Sequence, residues 1–187
     1  MTQPRLPVIP PENYTAEQKQ AVEEFLAARS VGLSGPFLTM LHSPTVMTLA
    51  RSMGDYLRFK SGIGTTLSEL VILVTAREWS QDYEWYFHAP IAEKVGIKPE
   101  IVAAIREGRR PQAMSEDEEI VYDVSIELHR YKRVSDASFA RAEQRFGKPA
   151  VVDLIAINGY YSFLAMQMNT ACVRIPEDGE PLPRFPF

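Results

Sequence analysis

An all-α fold follows from three features of the sequence. Apolar residues recur at helical spacing through most of the chain, helix-start signatures punctuate it at intervals, and no alternating run bounded by turn residues suggests a strand. Seven or eight helices are expected. Thr15-Ala-Glu-Gln18 reads as a capping box, with Val22, Phe25 and Leu26 supplying the apolar face behind it. Ser43-Pro44 pairs a cap with a first-turn proline, and Val46, Leu49, Ala50, Met53 and Leu57 form a stripe of period 3.6. Thr66-Leu-Ser-Glu69 is a second box opening a largely apolar helix to about Trp79. The β-branched run Leu70-Val-Ile-Leu-Val-Thr fits a buried helix here, given its length and the box before it. An aromatic-rich helix follows from Gln81 to Val95, stopped by Gly96. Pro99 starts a short helix ending near Gly108, and Ser115-Glu-Asp-Glu118 caps one reaching Tyr131. Two more are expected at Asp136–Phe146 and Pro149–Val173.

The chain has 187 residues, enough for one domain with a substantial core, and a single domain over 1–187 is expected. Prolines 4, 7, 10 and 11 and prolines 176, 181, 183 and 186 mark irregular arms at 1–13 and 175–187. Leu182, Phe185 and Phe187 favour packing of the second arm over fraying. A net charge of -4 and a basic patch at Arg106, Arg109 and Arg110 without interleaved aromatics argue against nucleic acid as partner. The longest apolar stretch, Leu70 to Ala76, falls short of the ~18 residues that would span a bilayer, and the N-terminus lacks the apolar core of a secretory signal. A cytoplasmic protein without membrane contact is the expectation.

The single cysteine, Cys172, excludes an internal disulfide, a CxxC redox pair and a multi-cysteine zinc site. It is expected to pack as a small hydrophobe. Glu84-x-x-x-His88 offers at most two metal ligands, and Gly62-Ile-Gly64 lacks the rest of a phosphate loop, so neither metal nor cofactor is expected.

Chemistry concentrates around His88. Glu84 and His88 are four apart and share one helix face, where a carboxylate orients an imidazole and raises its pKa. Pro90 removes the amide that would bond the Tyr86 carbonyl and predicts a kink beside His88. The turn between Trp79 and Asp82 is short, so the flanking helices pair antiparallel and Glu69 can reach the height of His88. Two readings of each feature stand side by side at this point: Glu69 either serves the Thr66 amide in a cap or joins the imidazole, and Glu84–His88 is either a catalytic pair or a surface ion pair. His42 reads as a helix-entry or interface residue, and His129 as a solvated helix-end histidine favoured by the dipole.

The stretches Leu67-Ser-Glu69-Leu-Val-Ile-Leu-Val-Thr-Ala, Tyr83-Glu84-Trp85-Tyr-Phe-His88-Ala-Pro-Ile-Ala92 and Gly96-Ile resemble the carboxymuconolactone decarboxylase family, part of the alkylhydroperoxidase D-like superfamily. The resemblance covers Ser43 to Pro111 and, more loosely, the Asn158-Gly-Tyr-Tyr segment. It implies a helical fold assembling as dimers, trimers or hexamers, with the histidine helix lining a pocket near subunit contacts. In the peroxidase branch a CxxC pair would fall on Gln81 and Glu84, so the nucleophile is missing here. The decarboxylase branch carries a glutamate four residues before the histidine, as here. It implies a cofactor-free lyase of aromatic-compound catabolism acting on a small carboxylated lactone, with His88 as acid/base, Glu84 as its orienter or proton partner and Glu69 as second relay. Arg51, Arg58 and Arg77 are the candidate grips for a substrate carboxylate. The alternatives are a non-catalytic oligomeric binding protein of the same fold, or a peroxidase-related enzyme using Cys172 alone.

Overall fold

The computed structural model describes residues 4–29 and 32–184. Eight helices follow one another without a strand among these residues: α1 (Ala16–Ala28), α2 (Pro36–Met40), α3 (Pro44–Phe59), α4 (Gly64–Glu78), α5 (Asp82–Lys94), α6 (Pro99–Arg106), α7 (Glu116–Tyr131) and α8 (Asp136–Ala171). The all-α reading therefore holds, with α2 as an added short helix that its five residues leave without a periodic signal.

Two of the three capping boxes form. Thr15 and Gln18 exchange hydrogen bonds at the start of α1, and Ser115 and Glu118 do so at α7. The third does not, because α4 begins two residues early, at Gly64, with Ile63 before it. Thr66 is then already inside the helix, and its hydroxyl donates to the Val95 carbonyl at the end of α5 instead. Glu69 is freed for another partner.

Helix α4 is the centre of the molecule. Every residue from Ser68 to Arg77 is buried, because α3, α5, α6, α7 and α8 all pack against it. An element surrounded on all sides needs no polar face, which accounts for its β-branched, strand-like composition. Within this core Thr75 donates to the Val71 carbonyl and accepts from Nε2 of His129 at 3.0 Å. His129 is thus partly buried and hydrogen-bonded, not solvated as its position at the helix end suggested.

The expected stripe on α3 is only partly the inward face. Met47, Ala50, Gly54 and Leu57 are buried, while Val46, Met53 and above all Leu49, at 67% exposure, face outward. The helix carries two apolar arcs. This outer arc meets Tyr160 and Phe163 of α8, which also exposes Val152, Ile155 and Met166.

The expected helices at Asp136–Phe146 and Pro149–Val173 form as the two parts of α8, separated by one non-helical residue, Gly147, at φ 76° and ψ 161°. By length and composition α8 could cross a bilayer, yet half of its most apolar window is buried, and it packs on α4 and α7 as a core helix does.

Both arms lie on the chain's own helices. The Arg5 amide donates to the Ala171 carbonyl, and the His42 ring to the Pro7 carbonyl, so His42 holds the first arm. Within that arm Pro11–Asn13 form a single 3-10 turn, a local exception to its irregular reading. In the second arm Leu182 is buried and its amide donates to Asp82, while Phe185 and Phe187 lie outside the described residues.

The backbone at Gly147 is in a region open essentially to glycine alone, and no atom of the surroundings approaches a Cβ there closer than 3.9 Å. Gly147→Ala is therefore expected to cost ~1–3 kcal/mol by backbone strain without any steric clash. Urea denaturation measures it; an unchanged midpoint would mean that the break relaxes to a helical one.

Candidate functional site

Helix α5 brings Glu84 and His88 to one buried face and continues through Pro90, which stands inside it as expected. Its first turn is fixed by Gln81, whose side-chain oxygen accepts from the amides of Tyr83 (2.6 Å) and Glu84 (3.2 Å). The other end of the Gln81 amide donates to Asn169 on α8, and Asn169 donates to the Trp79 carbonyl. The turn that joins α4 to α5 is thereby clasped to the end of α8.

The antiparallel pairing of α4 and α5 places Glu69 beside His88. Nδ1 of His88 is 2.6 Å from Oε2 of Glu69, and Nε2 is 3.3 Å from Oε2 of Glu84. All three residues are at most 4% exposed. Glu69 also takes Arg58 from α3 at 3.3 Å. Of the two readings open for Glu69, the structure supports the one with the imidazole: its carboxylate pairs with His88 and Arg58, and Glu84–His88 is no surface pair.

Burial alone would push the His88 imidazolium toward its neutral form. The hydrogen bonds and charges of Glu69 and Glu84 more than offset this, and the pKa is raised above the ordinary histidine value. The neighbouring Tyr161 is raised well above the usual phenol range, by burial first and by Glu84 next, so it remains a neutral phenol. Its ring meets that of His88 edge to face at 5.3 Å.

A cavity of about 620 Å³, solvent at its mouth included, opens in front of this group. Glu84 and His88 form part of its wall; Glu69 does not and stands behind the imidazole. Phe25, Phe37, Tyr83, Phe87, Tyr160 and Tyr161 give it aromatic sides. Two guanidinium groups also face it. Arg58 is braced by Glu69 and lies over Phe59 and Phe87, at 5.0 and 6.0 Å from the ring centres. Arg29 is braced by Asp55 and lies 5.1 and 4.8 Å from the centres of Phe25 and Phe37.

Of the three arginines considered from the sequence, only Arg58 reaches the cavity. Arg51 is paired with Asp55 outside it, and Arg77 lines a separate cleft with Glu78 and Tyr122. Arg29 was missed: it follows the last turn of α1 and is drawn to the site by Asp55, a partner that no local pattern announces. Cys172 ends α8 in a left-handed conformation, half-exposed and lining a different cavity. Among the described residues no cluster of three or more histidine, cysteine and acidic side chains is arranged to hold a metal ion.

The fold is of the alkylhydroperoxidase AhpD-like helical type, and the cavity in it is lined by Glu84 and His88, with Glu69 behind them and, among the described residues, no cysteine. The AhpD-core, peroxidase-related protein of Ralstonia eutropha JMP134 superposes with a TM-score of 0.75 at 18% identity, covering 94% of this chain and 93% of that one. A peroxidase-related protein of Silicibacter sp. TM1040 gives 0.73 at 12% identity, with 96% and 97% covered. The debrominase Bmp8, a cysteine-to-alanine variant in complex with 2,3,4-tribromopyrrole, gives 0.73 at 13% identity, with 94% and 93% covered. No protein-family model and no curated protein matches the chain in sequence.

The histidines should titrate in a defined order. His88 is raised by its carboxylates, whereas burial, outweighing the attraction of Glu78, lowers His129. As pH rises, His129 gives up its proton before His88, the two lying on either side of the ordinary value near ~6.5. For stability the signs are opposite. The contribution of His88 is complete below its unfolded value and fades as pH rises through its folded one; keeping His129 neutral costs stability as pH falls below its unfolded value. NMR titration of the ring protons checks the order, and His88 titrating below His129 would overturn the assignment.

Proposed function

We propose that the protein is a cofactor-free carbon–carbon lyase that removes carbon dioxide from a small carboxylated, lactone-type metabolite of aromatic-compound breakdown. The observation that carries this reading is the open cavity beside a buried imidazole held between two carboxylates. An imidazole whose pKa is raised by two carboxylates, at the wall of an aromatic cavity, is placed to deliver a proton.

Loss of carbon dioxide leaves its electron pair on the substrate as an enolate, which Arg58 and Arg29 would stabilise by charge. The proton that then joins carbon comes from the His88–Glu84 couple, because both line the cavity and stand 3.3 Å apart. Glu69, buried behind the ring and bonded to Nδ1, fixes its orientation and favours the imidazolium. The couple recovers its proton from solvent through the mouth. A peroxidase dependent on Cys172 has less support, since that thiol does not line the cavity of His88.

His88→Gln is expected to lower release of carbon dioxide from carboxylated lactones by ~10²–10⁴-fold. Glu69→Gln should move the alkaline limb of the pH–rate profile to lower pH, because one of the two charges that hold the proton is gone. Wild-type turnover in the His88 variant would remove the acid–base role.

Self-association belongs to the same reading. The outer arc of α3 (Val46, Leu49, Met53), joined by Phe163 of α8, offers an apolar surface for a second copy, and α8 further exposes Val152, Ile155 and Met166. Leu49→Lys combined with Ile155→Lys should shift sedimentation toward the monomer; an unchanged oligomer would exclude this face.

A further inference from the structure

A second cavity adjoins the first. It measures about 860 Å³, solvent at its mouth included, between the N-terminal arm (Leu6, Pro7, Val8), Leu38 and Thr39 of α2, and residues 171–174 at the end of α8. Its walls are largely apolar. Two residues, Ser34 and Tyr83, line both cavities. Tyr83 is on the first turn of α5, one residue before Glu84, so its ring stands at the edge of the candidate site itself.

The position of that ring is built into the backbone. Gly35 has φ 53°, a conformation that favours glycine, and a Cβ there would come within 2.5 Å of the Tyr83 ring. The ring is thus seated against one specific turn, between a charged aromatic chamber and an apolar one.

We infer that Tyr83 is a specificity-determining partition: it sets the length of the ligand that the charged cavity accepts, and behind it lies a ready compartment for an apolar tail. The inference rests on the proposed reading of Arg29 and Arg58 as the grip for an anionic head group. An anion held there with a short body ends against the Tyr83 ring. One carrying a longer alkyl chain needs that ring removed before the chain can reach Leu6, Val8 and Leu38 and leave water.

Straight-chain carboxylates test this, with hexanoate and dodecanoate as probes and binding read from the His88 ring resonance, so that only ligands in the site register. The quantity compared is the ratio of the two dissociation constants within one protein, which cancels a general weakening. In the wild type dodecanoate is expected to bind no more tightly than hexanoate. In Tyr83→Ala the ratio should change by at least about tenfold in favour of dodecanoate. Tyr83→Leu, which keeps an apolar side chain against Gly35, should change it in the same direction and serves if the alanine variant does not fold. The same ratio in wild type and variants overturns the partition while leaving the anion grip standing. No shift of His88 with either probe in any of the proteins overturns the grip, and the partition with it.

Discussion

Two carboxylates and an imidazole withdrawn from water constrain the rest of the molecule. Burying a single charge costs several kcal/mol, and each of these is tolerable only because the others are within contact distance (about 3 Å) and correctly turned. Glu69 and His88 come from different helices, so their contact requires α4 and α5 to pair in one register. A slip of α5 by one residue would swing His88 about 100° from Glu69 and leave a buried carboxylate short of a partner. The devices that hold this register are spread around it. Gln81 fixes the first turn of α5 and ties it to Asn169; Thr66 bonds the far end of α5 at Val95; Arg58 adds a cation to Glu69 from α3. Polar groups that look like separate caps and bridges serve a single alignment.

The cavity follows the same economy. Its arginines are not loose cations: each is held by a carboxylate and lies near aromatic rings, which fixes the direction in which the remaining donors point. An anion entering meets charge that is already oriented. The cavity walls supply flat apolar surface, and Tyr160 and Tyr161, both raised in pKa by burial, add bulk without adding charge.

Much of this was legible in the sequence, and the failures have physical reasons. The pairing of Glu84 with His88 could be read because helical spacing is rigid, and the reach of Glu69 because a short turn forces antiparallel neighbours. The capping role of Glu69 could not be excluded, since Thr-x-x-Glu looks the same whether a helix starts at Thr66 or two residues earlier at Gly64. On α3 the period of 3.6 was correct, but two apolar arcs share it, and periodicity does not say which one meets the core. His129 and Arg29 find their partners, Thr75 and Asp55, far along the chain. Contacts of that kind are properties of the packed molecule, so a local reading sent His129 to solvent and passed over Arg29.

The second arm gives the fold a mechanical property. Asp82 opens α5 and is two residues from Glu84, and it receives both the Leu182 amide and the Arg184 guanidinium. Arg106 on α6 holds the neighbouring Glu180 and Pro181. Residues 180–184 thus act as a tether between α6 and the first turn of α5, the helix that carries Glu84 and His88. Lifting it would strip two partners from the Asp82 carboxylate, so a segment about a hundred residues further along the chain bears on how the helix of Glu84 and His88 begins.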